Sequence, residues 1–464
     1  MPLAVIIAVL FFSLFSIQPS AGSATGVPDS ARNQETQSGP SPATIWDLYL
    51  SAKAKDPAIG RAEARVASSR AESDVLLSGL MPHLDGGAGV RQISQSLSNY
   101  PTTDANENYT AINYNITARL TLLHMPTIHS LSAAAANTRA EEAGVSAARQ
   151  NLTVRLADAY FSLLKAQADK QIALGEISRF KQVLEQSQAF LKEGTGDIIA
   201  VYEAQSRLDG AAADLTKSEC NLRLAEQKLS NVVGHTVTSI ENYLPRQPKG
   251  PEPDDLDWWV ATMEREQPVI RQAREGVAQA SEQRKAAKSE HLPVLQAAGG
   301  YDVSRGTADY PSAEIRQWSV GASLTIPLYS GGETSAKVRR AIASEEERRR
   351  ILDETRDLHL DTIKQAFFNL RYNISLIKAL EQKKVSAEIQ LAAVKKGRSI
   401  GTRNAIDLLN AAQAYSIALR DYKNALYDNF TSVVKLKYTA GILTDSDVAE
   451  ISRAVAPSLG NSIR

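Results

Sequence analysis

Two hydrophobic rhythms alternate along this chain, and the change from one to the other occurs at matching places in its two halves. From Trp46 to Leu80, apolar and Ala positions recur at helical spacing among charged residues, and Trp258–Leu292 does the same. Beyond the prolines that close these stretches, Pro82 and Pro293, the period falls from about 3.6 to 2. Ile112, Tyr114, Ile116, Ala118, Leu120 and Leu122 then alternate with Asn113, Asn115, Thr117, Arg119 and Thr121. In the second half Trp318, Val320, Ala322, Leu324 and Ile326 alternate with Gln317, Ser319, Gly321, Ser323 and Thr325. Weaker strands precede these, marked by Leu84, Ala88 and Val90 and by Leu295, Ala297, Tyr301 and Val303. The polar stretches Ser98–Asn108 and Gly306–Ala313 predict the loops between them.

After the strands the helical rhythm returns and lasts. No proline lies between Pro126 and Pro245, or between Pro327 and Pro457. Ile128–Lys192 is therefore free to run as one helix, roughly 100 Å long at 1.5 Å per residue. Val145, Ala148, Leu152, Leu156, Ala159, Leu163 and Ala166 form a coiled-coil seam, as do Leu360, Ile363, Phe367, Leu370, Ile374 and Ile377. Turns at Glu193-Gly194-Thr195-Gly196 and at Lys396–Thr402 send the chain back through second helices, Val201–Val232 and Ile406–Tyr438.

The halves are copies. Asp56-Pro57-Ala58-Ile59 matches Gln267-Pro268-Val269-Ile270, and Leu80–Leu84 matches His291–Leu295 at the same offset. Gly194-Thr195 and Ala204 match Gly401-Thr402 and Ala411. The domain plan is thus a repeat over residues 44–244, a proline-rich joint over 245–255, a second repeat over 256–445 and a tail over 446–464. Ahead of them, the short apolar run Leu3–Ile17 and the small residues Ala21 and Ala24 predict a secretory signal over 1–24, although no Lys or Arg precedes it. Residues 25–43, rich in Ser, Pro, Gly, Asn and Gln, predict a disordered leader.

With 52 basic and 52 acidic residues the chain has no net attraction for nucleic acid. Its single cysteine, Cys220, rules out an internal disulfide and reads as a small packed residue. His83, His124, His129, His235, His291 and His359 lack metal-ligand spacing, and no nucleophile elbow or phosphate-binding loop is present. An enzyme, a cofactor and a metal centre are therefore not expected. Apart from the signal no segment reaches the ~18 apolar residues of a spanning helix, so any membrane span must be built of strands. The paired strands suit that role. They approach the ~10 residues a tilted membrane strand needs, with Ile112, Tyr114, Ile116, Trp318 and Val320 on the lipid face and polar residues opposite. Since barrels need about eight strands, four per chain must be shared between chains.

Gly401-Thr402-Arg403-Asn404-Ala405-Ile406-Asp407-Leu408-Leu409-Asn410-Ala411 resembles the helix-hairpin tip G-T-R-x-x-x-D-V-L-x-A of the TolC-type outer-membrane factors. Leu324–Gly332 is similar to that family's strand-to-helix passage, and the duplication and element order agree with it. The resemblance implies a mainly α chain with a membrane β-barrel, in which each repeat holds a helix, two barrel strands and a long coiled-coil hairpin. It implies a homotrimer with a twelve-stranded barrel in outer-membrane lipid, a periplasmic helical tunnel, and an equatorial belt around Val233–Trp258 and Leu443–Ile451. It also implies partners: a periplasmic adaptor (membrane fusion) protein and an inner-membrane ABC or RND transporter. Carried over by position, Arg403 becomes the arginine that latches the tip and Asp407 an inward carboxylate ring. Asn410, Arg398 and Ala200 depart from the pattern, where a second ring carboxylate, a latching tyrosine and a first-repeat aspartate would stand; Asp197 or Glu203 are candidates to replace the last. Gly194, Thr195, Gly401 and Thr402 are the expected adaptor-docking tip. The alternative is a periplasmic coiled-coil adaptor without a pore, which would also carry a helical hairpin but would have no use for two-faced membrane strands.

Overall fold

The computed structural model describes residues 44–100, 103–237, 240, 247–306 and 314–455. The expected signal and leader lie outside the described residues, as do residues 307–313 of the expected loop and part of the joint. The elements are α1 (Ile45–Lys55), α2 (Pro57–Ser78), β1 (His83–Tyr100), β2 (Thr103–Leu123), α3 (Met125–Lys192) and α4 (Ile198–Val233). After the joint come α5 (Leu256–Glu266), α6 (Pro268–Ser289), β3 (Val294–Arg305), β4 (Glu314–Thr325), α7 (Glu333–Ser399), α8 (Ala405–Ala440) and α9 (Asp445–Val455).

The single helices expected over Trp46–Leu80 and Trp258–Leu292 are each two helices. Pro57 and Pro268 exclude the helical conformation for the residue before them, and Asp56 (φ −65°, ψ 119°) and Gln267 (φ −61°, ψ 117°) are extended. Asp56 serves both helices: its N–H donates to the Ala52 carbonyl at 2.9 Å, and its carboxylate accepts from the N–H groups of Ala58 (2.9 Å) and Ile59 (3.0 Å). Gln267, its counterpart, instead donates through Nε2 to the carbonyls of Tyr438 (3.1 Å) and Thr439 (2.9 Å), closing the end of α8.

The four strands form one antiparallel sheet in chain order. Its register pairs Gly86 with Ile116, Ile116 with Tyr301 and Tyr301 with Trp318, and likewise Ala88, Tyr114 and Val303 in a row. Because paired residues share a face, Ile112, Tyr114, Ile116, Trp318 and Val320 stand on one side with Leu84, Val90 and Leu324. The other side carries Asn113, Asn115, Thr117, Gln317, Ser319 and Ser323. The segment Ser98–Asn108 is not the expected loop. β1 and β2 continue as a ribbon with Leu97 opposite Ala105 and Tyr100 opposite Thr103, while β3 pairs β2 only from Ile112 onward. Polar residues alternate there as well, which leaves no hydrophobic rhythm to mark a strand.

α3 and α7 each run unbroken to the far end of the molecule. α3 packs against α2, α4, α6 and α8, and α7 against α5, α6 and α8. Near the sheet α3 is lined by Ala133, Ala134, Ala136, Ala140 and Ala143, all buried, which lets the neighbouring helices approach closely. A broader core lies partway along, where Leu152, Leu156, Tyr160, Phe161 and Leu164 meet Leu48 and Tyr49 of α1, Leu229 of α4, Phe430 and Val434 of α8 and Val448 of α9. Each such large side chain contributes about 1.5–3 kcal/mol on burial. The joint is tied here by the fully buried Asn429, whose amide accepts from Lys249 N (2.8 Å) and donates to Lys249 O (2.9 Å). Cys220 is exposed rather than packed. The buried stripe of α4 runs Ala204, Ala211, Ser218, Ala225, and a residue two places from Ser218 points away from it.

Candidate export channel: the sheet and the helical tip

The end of the molecule farthest along α3 and α7 is built from the same turn twice. Gly194 (φ +74°) and Gly401 (φ +79°) take left-handed conformations that L side chains rarely adopt. The next residue then folds back on the helix. Thr195 donates its N–H (3.0 Å) and hydroxyl (3.3 Å) to the Phe190 carbonyl, and Thr402 donates its N–H (2.9 Å) and hydroxyl (3.0 Å) to the Gly397 carbonyl. All four residues are exposed. The repeat copies a hydrogen-bonding pattern as well as a sequence.

A small core of Phe180, Val183 and Leu184 from α3, Ala204 and Ala211 from α4, and Ala405, Leu408, Leu409 and Ala412 from α8 holds the two hairpins together just behind the turns. Ala200 packs against it, so the position of the expected aspartate is apolar in place as well as in kind. The charged residues singled out from sequence divide by role. Asp197 accepts from Ile199 N at 2.9 Å and caps α4. Asp407 makes a reciprocal capping box with Asn404 at the start of α8 and lies 3.7 Å from Arg403. That pair stays within one hairpin.

The links between hairpins use other atoms. Arg207 donates through Nε to Glu203 (3.1 Å), through Nη1 to Gln413 Oε1 (2.5 Å) and through Nη2 to Asn410 Oδ1 (3.2 Å). Arg398 reaches the other way, donating through Nη2 to Ser187 Oγ at 3.3 Å; burial lowers its pKa from the usual guanidinium value. Arg207, Gln413 and Ser187 were not singled out from sequence. Glu203 and Arg207 show an i,i+4 charge pair that could have been noticed, but no local signal tells that their fork crosses to the second repeat.

The sheet is the second half of the candidate site. Tyr114, Ile116, Trp318 and Val320 are 57%, 54%, 72% and 64% exposed, a contiguous apolar face with nothing over it. On the polar face Arg119 pairs with Asp85 at 3.2 Å. Both edges, β1 and β4, lack a neighbour among the described residues. No helix among the described residues is long and apolar enough to cross a membrane, and no group of three or more His, Cys, Asp or Glu could hold a metal ion.

Comparison with known proteins agrees with this architecture. The family model described as outer membrane efflux protein matches residues 48–235 and 259–441, one segment in each half. The outer membrane protein TolC of Vibrio cholerae serotype O1 is 24% identical over 415 residues, covering 88% of this chain and 93% of the relative. The alkaline protease secretion protein AprF of Pseudomonas aeruginosa is 27% identical over 304 residues, covering 64% of this chain and 63% of the relative. Among solved structures, the CmeC outer membrane channel of Campylobacter jejuni superposes with a TM-score of 0.75 at 16% identity, covering 94% of this chain and 99% of that one. Since the family match spans both halves and the sheet and hairpins have the matching fold, the chain belongs to the outer membrane efflux protein family, the outer-membrane channels of efflux and secretion systems, and is not an enzyme.

Proposed function

We propose that three copies of this chain form the exit duct of a three-part export system, joined through a periplasmic adaptor to an ABC or RND transporter of the inner membrane. The observation that carries the reading is a sheet with one apolar face and two open edges, continuous with helices of roughly 100 Å. An open edge in lipid leaves unpaired N–H and C=O groups, each costing several kcal/mol, so the sheet has to close on other copies. Three copies bring four strands each, enough for a barrel. In this arrangement Ile112, Tyr114, Ile116, Trp318 and Val320 meet lipid and the Asn, Thr and Ser face lines water.

The paired tips, with Gly194, Thr195, Gly401 and Thr402, are the docking end for the adaptor, because small residues let another backbone approach closely. Asp407 makes the periplasmic entrance cation-preferring, since three symmetry-related carboxylates around one narrow axis between low-dielectric walls focus a negative potential. Arg403 beside it helps hold that entrance shut. Planar-bilayer recordings on purified protein test this: Asp407→Asn weakens cation selectivity and Arg403→Ala raises single-channel conductance. Unchanged values in both variants would leave only a surface ion pair.

A further inference from the structure

The apolar face of the sheet changes chemistry with height. Its lower rows hold no charge: Leu84, Ala118, Gly299 and Val320 share one, and Gly86, Ile116, Tyr301 and Trp318 the next. The row above, Ala88, Tyr114, Val303 and Arg316, brings the first charge, and the last shared row, Val90, Ile112, Arg305 and Glu314, brings two more. Leu324 to Arg316 is about 27 Å along the strand at ~3.4 Å per residue, which at a tilt of about 40° spans most of the ~25 Å apolar band of a membrane barrel. Tyr114, Tyr301 and Trp318 lie where an aromatic girdle closes that band, and the charged cluster stands at its upper edge.

The two arginines are held as a pair. Glu314 accepts from Arg305 Nη2 at 2.6 Å through one oxygen, and from Arg316 Nε and Nη2, each at 2.6 Å, through the other. One carboxylate between two guanidinium groups leaves one positive charge. It also fixes both forks, so less freedom is lost when their remaining N–H groups bind an anion. The arginine side chains are 61% and 69% exposed, and at that exposure the ion pairs themselves add little stability.

Above the arginines only the β1–β2 ribbon continues, and on this face its next rungs are neutral hydrogen-bonding groups. Gln92 stands opposite Thr110, linked at 2.7 Å, and Ser94 opposite Asn108. All four are exposed. From the helical end outward the face therefore reads apolar, aromatic, guanidinium, then amide and hydroxyl. A phospholipid, which has acyl chains and a phosphate, matches the first three levels. A glycolipid with acyl chains, phosphates and a sugar core matches all four, and this end faces the outer leaflet because the helices lie in the periplasm.

We propose that Arg305 and Arg316, positioned by Glu314, bind a phosphate of lipopolysaccharide in the outer leaflet, with Gln92, Ser94, Asn108 and Thr110 beside its sugars. The site recurs once per chain. It rests on the reading of the apolar face as the lipid face.

The test mixes the assembled full chain, in detergent, with rough-type lipopolysaccharide and counts the lipid retained by native mass spectrometry. Arg305→Gln with Arg316→Gln should lower retention several-fold while the assembled species is unchanged on light scattering. Arg305→Lys with Arg316→Lys should give an intermediate loss, because charge remains but the forks do not. Dephosphorylated lipopolysaccharide should be retained as poorly by the wild-type protein, an arm that needs no variant to assemble. Full retention in the double Gln variant, or of the dephosphorylated lipid, overturns the site. So does equal retention of phosphatidylglycerol, which would show a general attraction for anionic lipid. A separate arm places a polarity-sensitive fluorophore on Val320→Cys in a Cys220→Ser background, in phosphatidylcholine vesicles. Water-like emission would overturn the lipid face and the site together, whereas apolar emission with no effect of the arginines would overturn the site alone.

Discussion

Asp56 shows how much one side chain can carry. Its carboxylate is nearly sealed from solvent, accepts from Arg155 Nη2 at 2.6 Å and caps α2. Burial pushes its pKa up, but the bonds from Arg155, Ile59 and Ala58 outweigh burial and hold it below the usual carboxylate value. A carboxyl that binds its proton less readily folded than unfolded stabilises the fold above its unfolded pKa, near 3.9, and that contribution is lost as pH falls through the lowered folded pKa. Asp56→Ala should therefore cost about 2 kcal/mol at neutral pH, followed by the loss of helical circular dichroism on heating. The gap between mutant and wild type should narrow as the pH falls below ~4. Gly441 is a second such position: it is left-handed (φ +79°), and an added Cβ would lie 2.5 Å from Gln267 Cα. Gly441→Ala should cost more than about 2 kcal/mol on the same melt, whereas Gly401→Ala, with open space around it, should cost only the ~1–2 kcal/mol of its conformation. In the chain the Asp56-Pro57 dipeptide was legible only as part of the repeat; its capping role and the Arg155 contact were not, because Arg155 lies 99 residues away on α3 and nothing local marks the pairing.

Among the elements, legibility tracked the strength of the rhythm. α3, α4 and α8 were readable to within a few residues, and α7 was readable as a long helix from its seam, because a helical rhythm sustained over dozens of positions leaves one periodicity in play. The breaks at Asp56 and Gln267 were missed even though both prolines had been noted, since apolar spacing continues across them. The outer part of the β1–β2 hairpin was missed for the opposite reason: Gln, Ser, Thr and Asn on both faces carry no contrast for a period to show. At the tip the Gly-Thr turns were readable, because both copies need a left-handed residue in the same place. The cross-repeat arginine links were not, since their partners are neutral residues of the other repeat. The docking role proposed for the turns belongs to this scale. Thr195→Trp with Thr402→Trp should abolish export of a reporter substrate while trimer yield is unchanged; export at wild-type rates would remove the tips from the docking surface.

In the whole molecule, what the sheet lacks decides the assembly. Solubilised protein should run as a heat-modifiable species of three chains, and a detergent-independent monomer would contradict the shared barrel. Trp318→Arg, on the apolar face, should cost up to about 2–4 kcal/mol if the residue lies near the bilayer midplane, read as a fall in the assembled species on unheated gels. A changed yield in Ser319→Arg instead would mean that the faces are reversed. The duplication made the architecture readable from sequence alone, but not the extra length of the β1–β2 pairing. Residues 103–111 of β2 run on past the last β3 partner, about 30 Å at ~3.4 Å per residue along the strand. In the proposed ring of three copies each copy contributes one such ribbon, so the described strands give the rim three raised ribbons. A large molecule approaching from outside would then touch down on three separate ribbon ends rather than on a continuous rim, about 30 Å beyond the last shared rung at Ile112 and Arg305.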